Sequence, residues 1–195
     1  MAHHIYHTRG IILSNVATGE ANRFYKLLTE DLGLIGAVAQ GVREGKGKLK
    51  TMLQEFSRIK VDLVRGKEVW RIISAMEERP AGGLKKQGEN MVLFARMASL
   101  VRRLVHGEGR NDELFRDMLA AHDFLEMVAI PANLVPAFET LSTLRVLVWL
   151  GYFDASSYEM FCKLGPWTMD MLTEWDKVHS RAVSDINAAL KASQL

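Results

Sequence analysis

The sequence is poor in the residues that build disulfides, thiolate metal centres and membrane spans. Cys162 is the single cysteine among 195 residues, which excludes an internal disulfide and a zinc site made from several thiolates of this chain. No stretch approaches the roughly 18 uncharged apolar residues that cross a bilayer, and residues 1–10 lack the layout of a signal peptide. We therefore predict a cytoplasmic protein with no membrane partner.

Catalytic signatures are also missing. The sequence has no G-x-S-x-G, no Walker loop, no Rossmann glycine pattern and no H-E-x-x-H. His3, His4 and His7 together offer metal ligands, but histidines near a chain end are more often exposed or packing residues. His122 falls near the apolar face of its helix, as a core histidine does, and Cys162 has the setting of a buried structural thiol. We expect no cofactor and no metal, and we rank an enzyme, such as a nuclease, low.

Charge is distributed unevenly along the chain, although the net charge is only +2. Residues 1–79 hold 13 of the 25 Lys and Arg residues and 9 of the 23 Asp and Glu residues, which makes this part +4 and the remainder −2. Two parts of opposite sign suggest two domains with different partners.

The N-terminal part has the alternating pattern of β-strands, and about five short strands suit a compact barrel or sandwich. Ile59, Val61 and Leu63 share one face of a strand and are predicted to lie in its core. Asn15–Gly19 is predicted to be a polar turn. The predicted strands are Ile5–Ser14, Asn22–Thr29, Leu34–Val42, Arg58–Val64 and Glu68–Met76.

Beyond a breaker-rich stretch at residues 77–83 the pattern becomes helical, so we place one domain at 1–79 and an all-α domain at 80–195. Asn111 is predicted to be an N-cap and Gly151 a C′ residue. Residues 156–164 are predicted to form one short helix. Pro166 is predicted to open the last helix, with Trp175, Val178, Ala182, Ile186 and Ala189 on its inner face.

Cations interleaved with aromatic residues mark the N-terminal part as a possible surface for nucleic acid, because cations hold phosphates and aromatic faces stack unpaired bases. The alternative is a solvated basic loop beside core aromatic residues. Phe24 and Trp70 are predicted to lie in the core, whereas Tyr25 is left open. The candidate DNA-binding residues are Arg23, Lys26, Arg43, Lys46, Lys48, Lys50, Arg58 and Lys60.

Residues 6–72 resemble the N-terminal domain of the RecO family. The similarity runs in order through R-G-I-I-L, G-E-A-N-R, L-T-E-D-L-G-L-I, A-V-A-Q-G-V-R, K-L-K-T-M-L-Q-E-F-S and L-V-R-G-K-E-V-W-R-I. A later segment, FETLSTLRVLVWLGY, resembles the family's helix ending in L-L-G-Y. The resemblance implies an α+β protein with a five-stranded OB-fold barrel followed by an all-α helical domain. By position, Arg23, Lys26, Arg43, Lys46, Lys48 and Lys50 match the family's basic barrel edge and loop.

The resemblance also implies a function and partners. It implies a nucleoid-associated mediator of DNA repair and homologous recombination that binds single- and double-stranded DNA and anneals complementary strands. With RecR, such a protein helps to load RecA onto DNA coated by single-strand-binding protein, whose C-terminal tail docks on the helical domain. Arg96, Arg102 and Arg103 are candidates for that acidic tail, and a solvated helix face is their alternative.

The chain departs from the family pattern in two respects. Many members carry a four-cysteine zinc module after the L-G-Y helix, but FDASSYEMFCKLGPW offers only Cys162, so zinc is not predicted. The chain is also somewhat short for the family, mainly in its helical half. The alternative function is an OB-fold module that docks another protein and touches DNA only incidentally.

Overall fold

A computed structural model of the chain describes residues 4–42, 48–78, 84 and 88–192. In these ranges the N-terminal part is a closed five-stranded barrel, and the rest is helical. This confirms the predicted α+β class and the order of its two parts. None of the helices in these ranges has both the length and the apolar character needed to cross a membrane.

The barrel strands are β1 (Ile5–Thr18), β2 (Asn22–Thr29), β3 (Gly33–Ala39), β4 (Arg58–Arg65) and β5 (Trp70–Glu77). Their order around the barrel is β1-β2-β3-β5-β4, and β4 pairs back onto β1. All pairs are antiparallel except the short β3–β5 pair. That parallel pair closes the sheet, so the barrel presents outer faces in several directions.

The barrel core follows the predicted alternation. Ile59, Val61 and Leu63 are at most 2% exposed, which confirms their assignment, and Trp70 is buried with them. Tyr25, left open by the sequence, is also in this core. Phe24 is half-buried, and its side chain lies on the face of β2 opposite to that of Tyr25. The prediction that Phe24 is a core residue was therefore wrong.

The predicted turn at Asn15–Gly19 was placed too early. β1 continues through Thr18, because each residue from Ser14 to Thr18 pairs with a residue of β2. A register shift between Ile12 and Ser14 marks a bulge that bends this long strand. The reversal falls after Thr18, where Gly19 adopts a positive φ of 60°.

The helices are α1 (Lys48–Met52), α2 (Gly88–Leu104), α3 (Asp112–Met127), α4 (Val135–Trp149), α5 (Met169–Asp176) and α6 (His179–Ala192). The Asn111 side chain accepts a hydrogen bond from the Leu114 amide at 2.9 Å, which confirms the predicted N-cap. Gly151 has a positive φ of 75°, as expected of a C′ residue.

Two predictions for the C-terminal helices were wrong. Residues 156–164 contain only a 3₁₀ turn, Glu159–Phe161, in place of one α-helix. The predicted last helix is two helices, α5 and α6, that meet near Val178, and Val178 itself is 38% exposed. The hydroxyl of Thr168 caps α5 by accepting a hydrogen bond from the Met171 amide.

The chain divides into two compact units that are not continuous in sequence. One unit comprises Met1–Gly82 with Arg102–Phe115, and the other comprises Gly83–Val101 with Arg116–Leu195. Within the first unit, Trp70 Nε1 donates a hydrogen bond to Glu108 at 3.0 Å. Gly33 has a positive φ and lies against Gly109 so closely that a Cβ there would clash with the Gly109 carbonyl.

The second unit contains a buried ion pair. Arg145 and Asp117 are each about 1% exposed, and their Nη1 and Oδ1 atoms are 3.1 Å apart. Trp167 donates to the same Asp117 oxygen at 3.0 Å, and its ring lies 4.9 Å from the Arg145 guanidinium carbon. Burial raises the pKa of Asp117, and the charge of Arg145 opposes that rise.

Candidate nucleic-acid interface

One cross-strand row of residues crosses four barrel strands. Val16 in β1 pairs with Phe24 in β2, Phe24 pairs with Val38 in β3, and Val38 pairs with Arg71 in β5. Directly paired residues place their side chains on the same face of a sheet. The row therefore combines three apolar side chains with a cation, and we call it the Phe24 row.

The Phe24 ring lies on the barrel surface against Gly36. A Cβ at Gly36 would lie 2.6 Å from the ring's Cζ atom, so a glycine is what leaves room for the ring there. The Lys26 ammonium lies 5.7 Å from the ring centroid. Lys26 and Arg71 are both exposed. The surface thus has an aromatic ring with the exposed Lys26 beside it and the exposed Arg71 two strands away.

The surroundings of the Phe24 row extend its apolar character. Val16 is 59% exposed and Ile73 is 49% exposed. The Arg71 guanidinium donates a hydrogen bond to Gln40 at 3.4 Å, a contact that holds the cation near the β3–β5 pair. An aromatic ring and apolar surface between cations suit an unpaired strand, whose bases present flat faces and whose backbone carries phosphates.

Arg23 is on the same side of β2 as Tyr25, opposite Phe24. Its side chain is half-buried and its guanidinium donates a hydrogen bond to Asn15. Burial raises the pKa of Tyr25, the next-but-one residue of β2, and the Arg23 charge opposes that rise. Arg23 is therefore partly committed to the barrel itself, whereas Lys26 extends into solvent.

Arg58 and Lys60 occupy a different outer face, formed by β1, β4 and β5. Arg58 is only 7% exposed and lies 3.4 Å from a Glu78 oxygen, which leaves little of its side chain for a phosphate. Lys60 is exposed and pairs across the sheet with Arg9 and Met76. The eight predicted cations therefore do not share one surface.

The face around Lys60 is a concave surface of mixed charge with a volume of about 570 Å³. The Asp62 carboxylate accepts hydrogen bonds from Ser74 and His7, each at 2.6 Å, and these contacts lower its pKa. Carboxylates interspersed with the cations weaken the attraction of this face for a polyanion. Its lining residues include His7, Arg9, Glu30, Asp31, Lys60 and Asp62.

Glu78 forms ion pairs with two cations near this concave surface, Arg9 and Arg58. Burial alone would raise the pKa of its carboxyl group, but hydrogen bonds and charges from Arg9 and Arg58 outweigh burial and lower the pKa. Arg9 donates to Glu78 at 2.8 Å. Arg58 therefore forms part of an ion-pair network with Glu78 and Arg9 at the edge of the barrel.

The basic loop lies mostly outside the described residues. Arg43 and Lys46 belong to that part of the chain. Lys48 and Lys50 lie in α1, where the structure describes the backbone but not these two side chains. α1 packs beside β5, the strand that carries Arg71. Leu49 of α1 packs against the barrel core, and Leu53, the residue after α1, is part of that core. These contacts hold α1 against the barrel.

The predicted partner-binding arginines are divided between the compact units. Arg96 lies in the second unit, is 61% exposed, and forms an ion pair with Glu139. It lines a groove of about 400 Å³ with apolar walls that include Leu93 and Met97. Arg102 and Arg103 are exposed but belong to the unit of the barrel.

Comparison with known proteins identifies the family. Residues 1–77, which contain the whole barrel, match the family model described as Recombination protein O N terminal. The chain belongs to the RecO family. This confirms the resemblance found in the sequence.

Related proteins named DNA repair protein RecO agree with this assignment. The one from Rubrobacter xylanophilus is 29% identical over 103 residues, covering 53% of this chain and 42% of the relative. The one from Gloeothece citriformis is 31% identical over 132 residues, covering 67% and 46%. One from Dehalococcoides mccartyi is 46% identical over 66 residues, covering 34% and 26%. The chain spans less than half the length of each of these three RecO proteins.

Sequence reasoning on this RecO-family chain missed the Phe24 row. Phe24 was assigned to the core, and Arg71, although one of the N-terminal cations that suggested a nucleic-acid surface, was not among the eight candidate residues. The alternation of side chains along a strand puts Phe24 on the face of β2 opposite to Tyr25 and Leu27. This was the signal in the sequence that Phe24 and Tyr25 do not both point into the core. No local signal reveals that Arg71 pairs with Val38, because β3 and β5 are separated by more than 30 residues in the chain.

Proposed function

We propose that this RecO-family chain acts in DNA repair and homologous recombination as a mediator that binds single- and double-stranded DNA. The observation that carries the proposal is the Phe24 row on the outer face of the barrel, together with the exposed cations Lys26 and Arg71, in a barrel that matches the family model. Cations at this surface contact phosphates, and the Phe24 ring stacks on an unpaired base.

Strand annealing at such a surface needs no covalent chemistry, so we propose that the chain is not an enzyme. Two complementary strands repel each other through their phosphates. A cationic surface that holds both strands lowers this repulsion and raises their local concentration. The basic loop with Arg43, Lys46, Lys48 and Lys50 adds to this surface in the proposal, and Arg23 is a further cation of β2.

We assign the protein partners to the helical part. In the proposal, the chain works with RecR to load RecA onto DNA coated by single-strand-binding protein. The groove beside Arg96 has a cation at its rim and apolar residues along its walls, which suits the acidic, apolar C-terminal tail of that coating protein. Arg102 and Arg103 offer further exposed cations on the same helix, α2.

The second candidate function is an OB-fold module that docks a protein and contacts DNA only incidentally. The concave, mixed-charge surface around Lys60 and Asp62 favours this alternative, because interspersed charges of both signs suit a protein surface better than a polyanion. Under this alternative, Lys60 and Arg9 contact a partner protein.

Fluorescence polarisation with a labelled single-stranded oligonucleotide separates the two candidates. A DNA mediator binds more tightly than the roughly 10⁻⁴ to 10⁻⁶ M expected of non-specific binding at physiological salt, and its affinity falls steeply as salt is added. Affinity in the non-specific range, with no loss when Lys46, Lys48 and Lys50 are changed to Ala, supports the protein-docking module.

Annealing of complementary oligonucleotides coated with single-strand-binding protein tests the two surfaces together. The coating protein is used with and without its C-terminal tail. If the groove beside Arg96 receives the tail, annealing is faster with the intact coating protein, and Arg96→Ala removes only that difference. Equal rates with both forms of the coating protein would exclude tail recognition by this chain.

A further inference from the structure

We propose that α3 carries a binding site for a divalent transition-metal ion of the zinc class, formed by His122, Asp123 and Glu126. Within the described ranges, these three residues form a group whose imidazole nitrogen and carboxylate oxygens all lie within 4.8 Å of one another. The site shares no residue with the Phe24 row or with the groove beside Arg96.

The spacing of the three residues brings them to one turn of helix. His122 and Glu126 are four residues apart and Asp123 and Glu126 are three apart, so the side chains are neighbours on the helix surface. His122 Nδ1 lies 3.9 Å from Glu126 Oε1. Two atoms that each bond to one zinc ion at about 2.1 Å can be at most about 4.2 Å apart. The separation of His122 Nδ1 and Glu126 Oε1 is already within this limit.

The ligand set favours the zinc class over calcium or magnesium. Ca²⁺ and Mg²⁺ prefer sites made of oxygen atoms, whereas an imidazole nitrogen with carboxylate oxygens suits Zn²⁺ and its neighbours Co²⁺ and Ni²⁺. Two carboxylates also balance the charge of a divalent ion when the imidazole is neutral. The three protein ligands leave further coordination positions for water.

The histidine is held in place before a metal arrives. His122 is 4% exposed, and its ring packs edge-on against Phe94 of α2, with ring centroids 5.1 Å apart and an interplanar angle of 90°. The Glu126 side chain is 15% exposed, so the attraction between ligands and ion acts in a medium of lower dielectric than water. A fixed ligand loses less conformational freedom on binding.

Isothermal titration of the whole chain with ZnCl₂ after chelator treatment tests the site. The N-terminal histidines are removed as competing ligands by changing His3, His4 and His7 to Asn in every protein used. In this background we expect about one Zn²⁺ per chain, and a weakening of at least about tenfold in Glu126→Gln and in Asp123→Asn, because each change removes a charged ligand with little change of shape.

Glu113→Gln is the matched control, because it makes the same chemical change at an exposed position of the same helix. Its zinc affinity is expected to equal that of the background protein. Absorption of bound Co²⁺ in the visible range gives a second measurement of the same variants. Absence of zinc binding in the background that lacks His3, His4 and His7 would overturn the proposal, as would equal affinity in Glu126→Gln and Glu113→Gln.

Discussion

Removing the two exposed cations Lys26 and Arg71 tests the proposed DNA surface most directly. In the double variant Lys26→Ala/Arg71→Ala both side chains are solvent-exposed, so the barrel is expected to fold normally. If each cation neutralises one phosphate of a single strand, each contributes about −0.7 to the slope of log affinity against log salt. The double variant then has a slope shallower by about 1.4.

This change in slope is large enough to measure. Between about 50 and about 200 mM salt, the unaltered chain is expected to lose about sevenfold more affinity than the double variant. Fluorescence polarisation of a labelled single-stranded oligonucleotide across this range gives both slopes. Circular dichroism of each protein checks that the fold is unchanged, so that a difference in slope reports phosphate contacts.

Two comparisons make the experiment specific. Lys163→Ala/Lys191→Ala removes the same charge from exposed positions in the second compact unit, and its slope is expected to match that of the unaltered chain. Lys60→Ala tests the concave face of β1, β4 and β5. If the slope is unchanged in Lys26→Ala/Arg71→Ala, or if Lys60→Ala alone makes it shallower, the assignment of DNA to the Phe24 row is refuted.

Three further substitutions give distinct outcomes. Phe24→Leu is expected to weaken single-strand binding by about 1–3 kcal/mol through lost stacking, with a smaller effect on duplex in the same polarisation assay. Glu78→Gln removes the carboxylate charge that pairs with the buried Arg58 and is expected to cost about 3 kcal/mol in urea unfolding at neutral pH. The pKa of Glu78 is lower in the folded chain than in the unfolded chain, so its stabilising effect is fully present at a pH above the pKa of the unfolded state. As the pH falls through the pKa of the folded state, this effect is lost, and the difference in unfolding free energy between the unaltered chain and Glu78→Gln disappears. Arg145→Met leaves the Asp117 carboxylate buried without the Arg145 cation and is expected to lower the free energy of unfolding by about 3–5 kcal/mol. Adding Asp117→Leu is expected to restore part of this stability. A double variant that is no more stable than Arg145→Met contradicts this prediction.

The strands of the barrel were predictable because burial on one face imposes a period of two. Ile59, Val61 and Leu63 alternate with polar residues in the sequence and are buried in the structure. The end of β1 was not predictable in the same way. The segment 15–19 has polar ends and a glycine, as a turn does, but each residue from 14 to 18 finds a partner in β2, and cross-strand hydrogen bonds outweigh the local preference.

The candidate site was predicted in its chemistry but not in its geometry. Arg23 and Lys26 lie on the same strand, β2, but they are three residues apart and so point to opposite faces of it. Arg58 has the same charge but is buried beside Glu78, a pairing between residues 20 apart that charge counting does not reveal. His122 illustrates the same limit, because its burial fits a core histidine, while its side chain lies within 4.8 Å of the Asp123 and Glu126 carboxylates, with which it is proposed to bind a metal ion.

The order of residues alone therefore determined the five barrel strands, where Asn111 begins a helix, and that cations concentrate in the N-terminal part. These properties depend on local periodicity, capping and composition, which act over a few residues. The tertiary structure decided which cations share a surface. Only closure of the barrel through the β3–β5 pair brings Arg71 beside Val38, which in turn pairs with Phe24, because that contact joins segments that are distant in the chain.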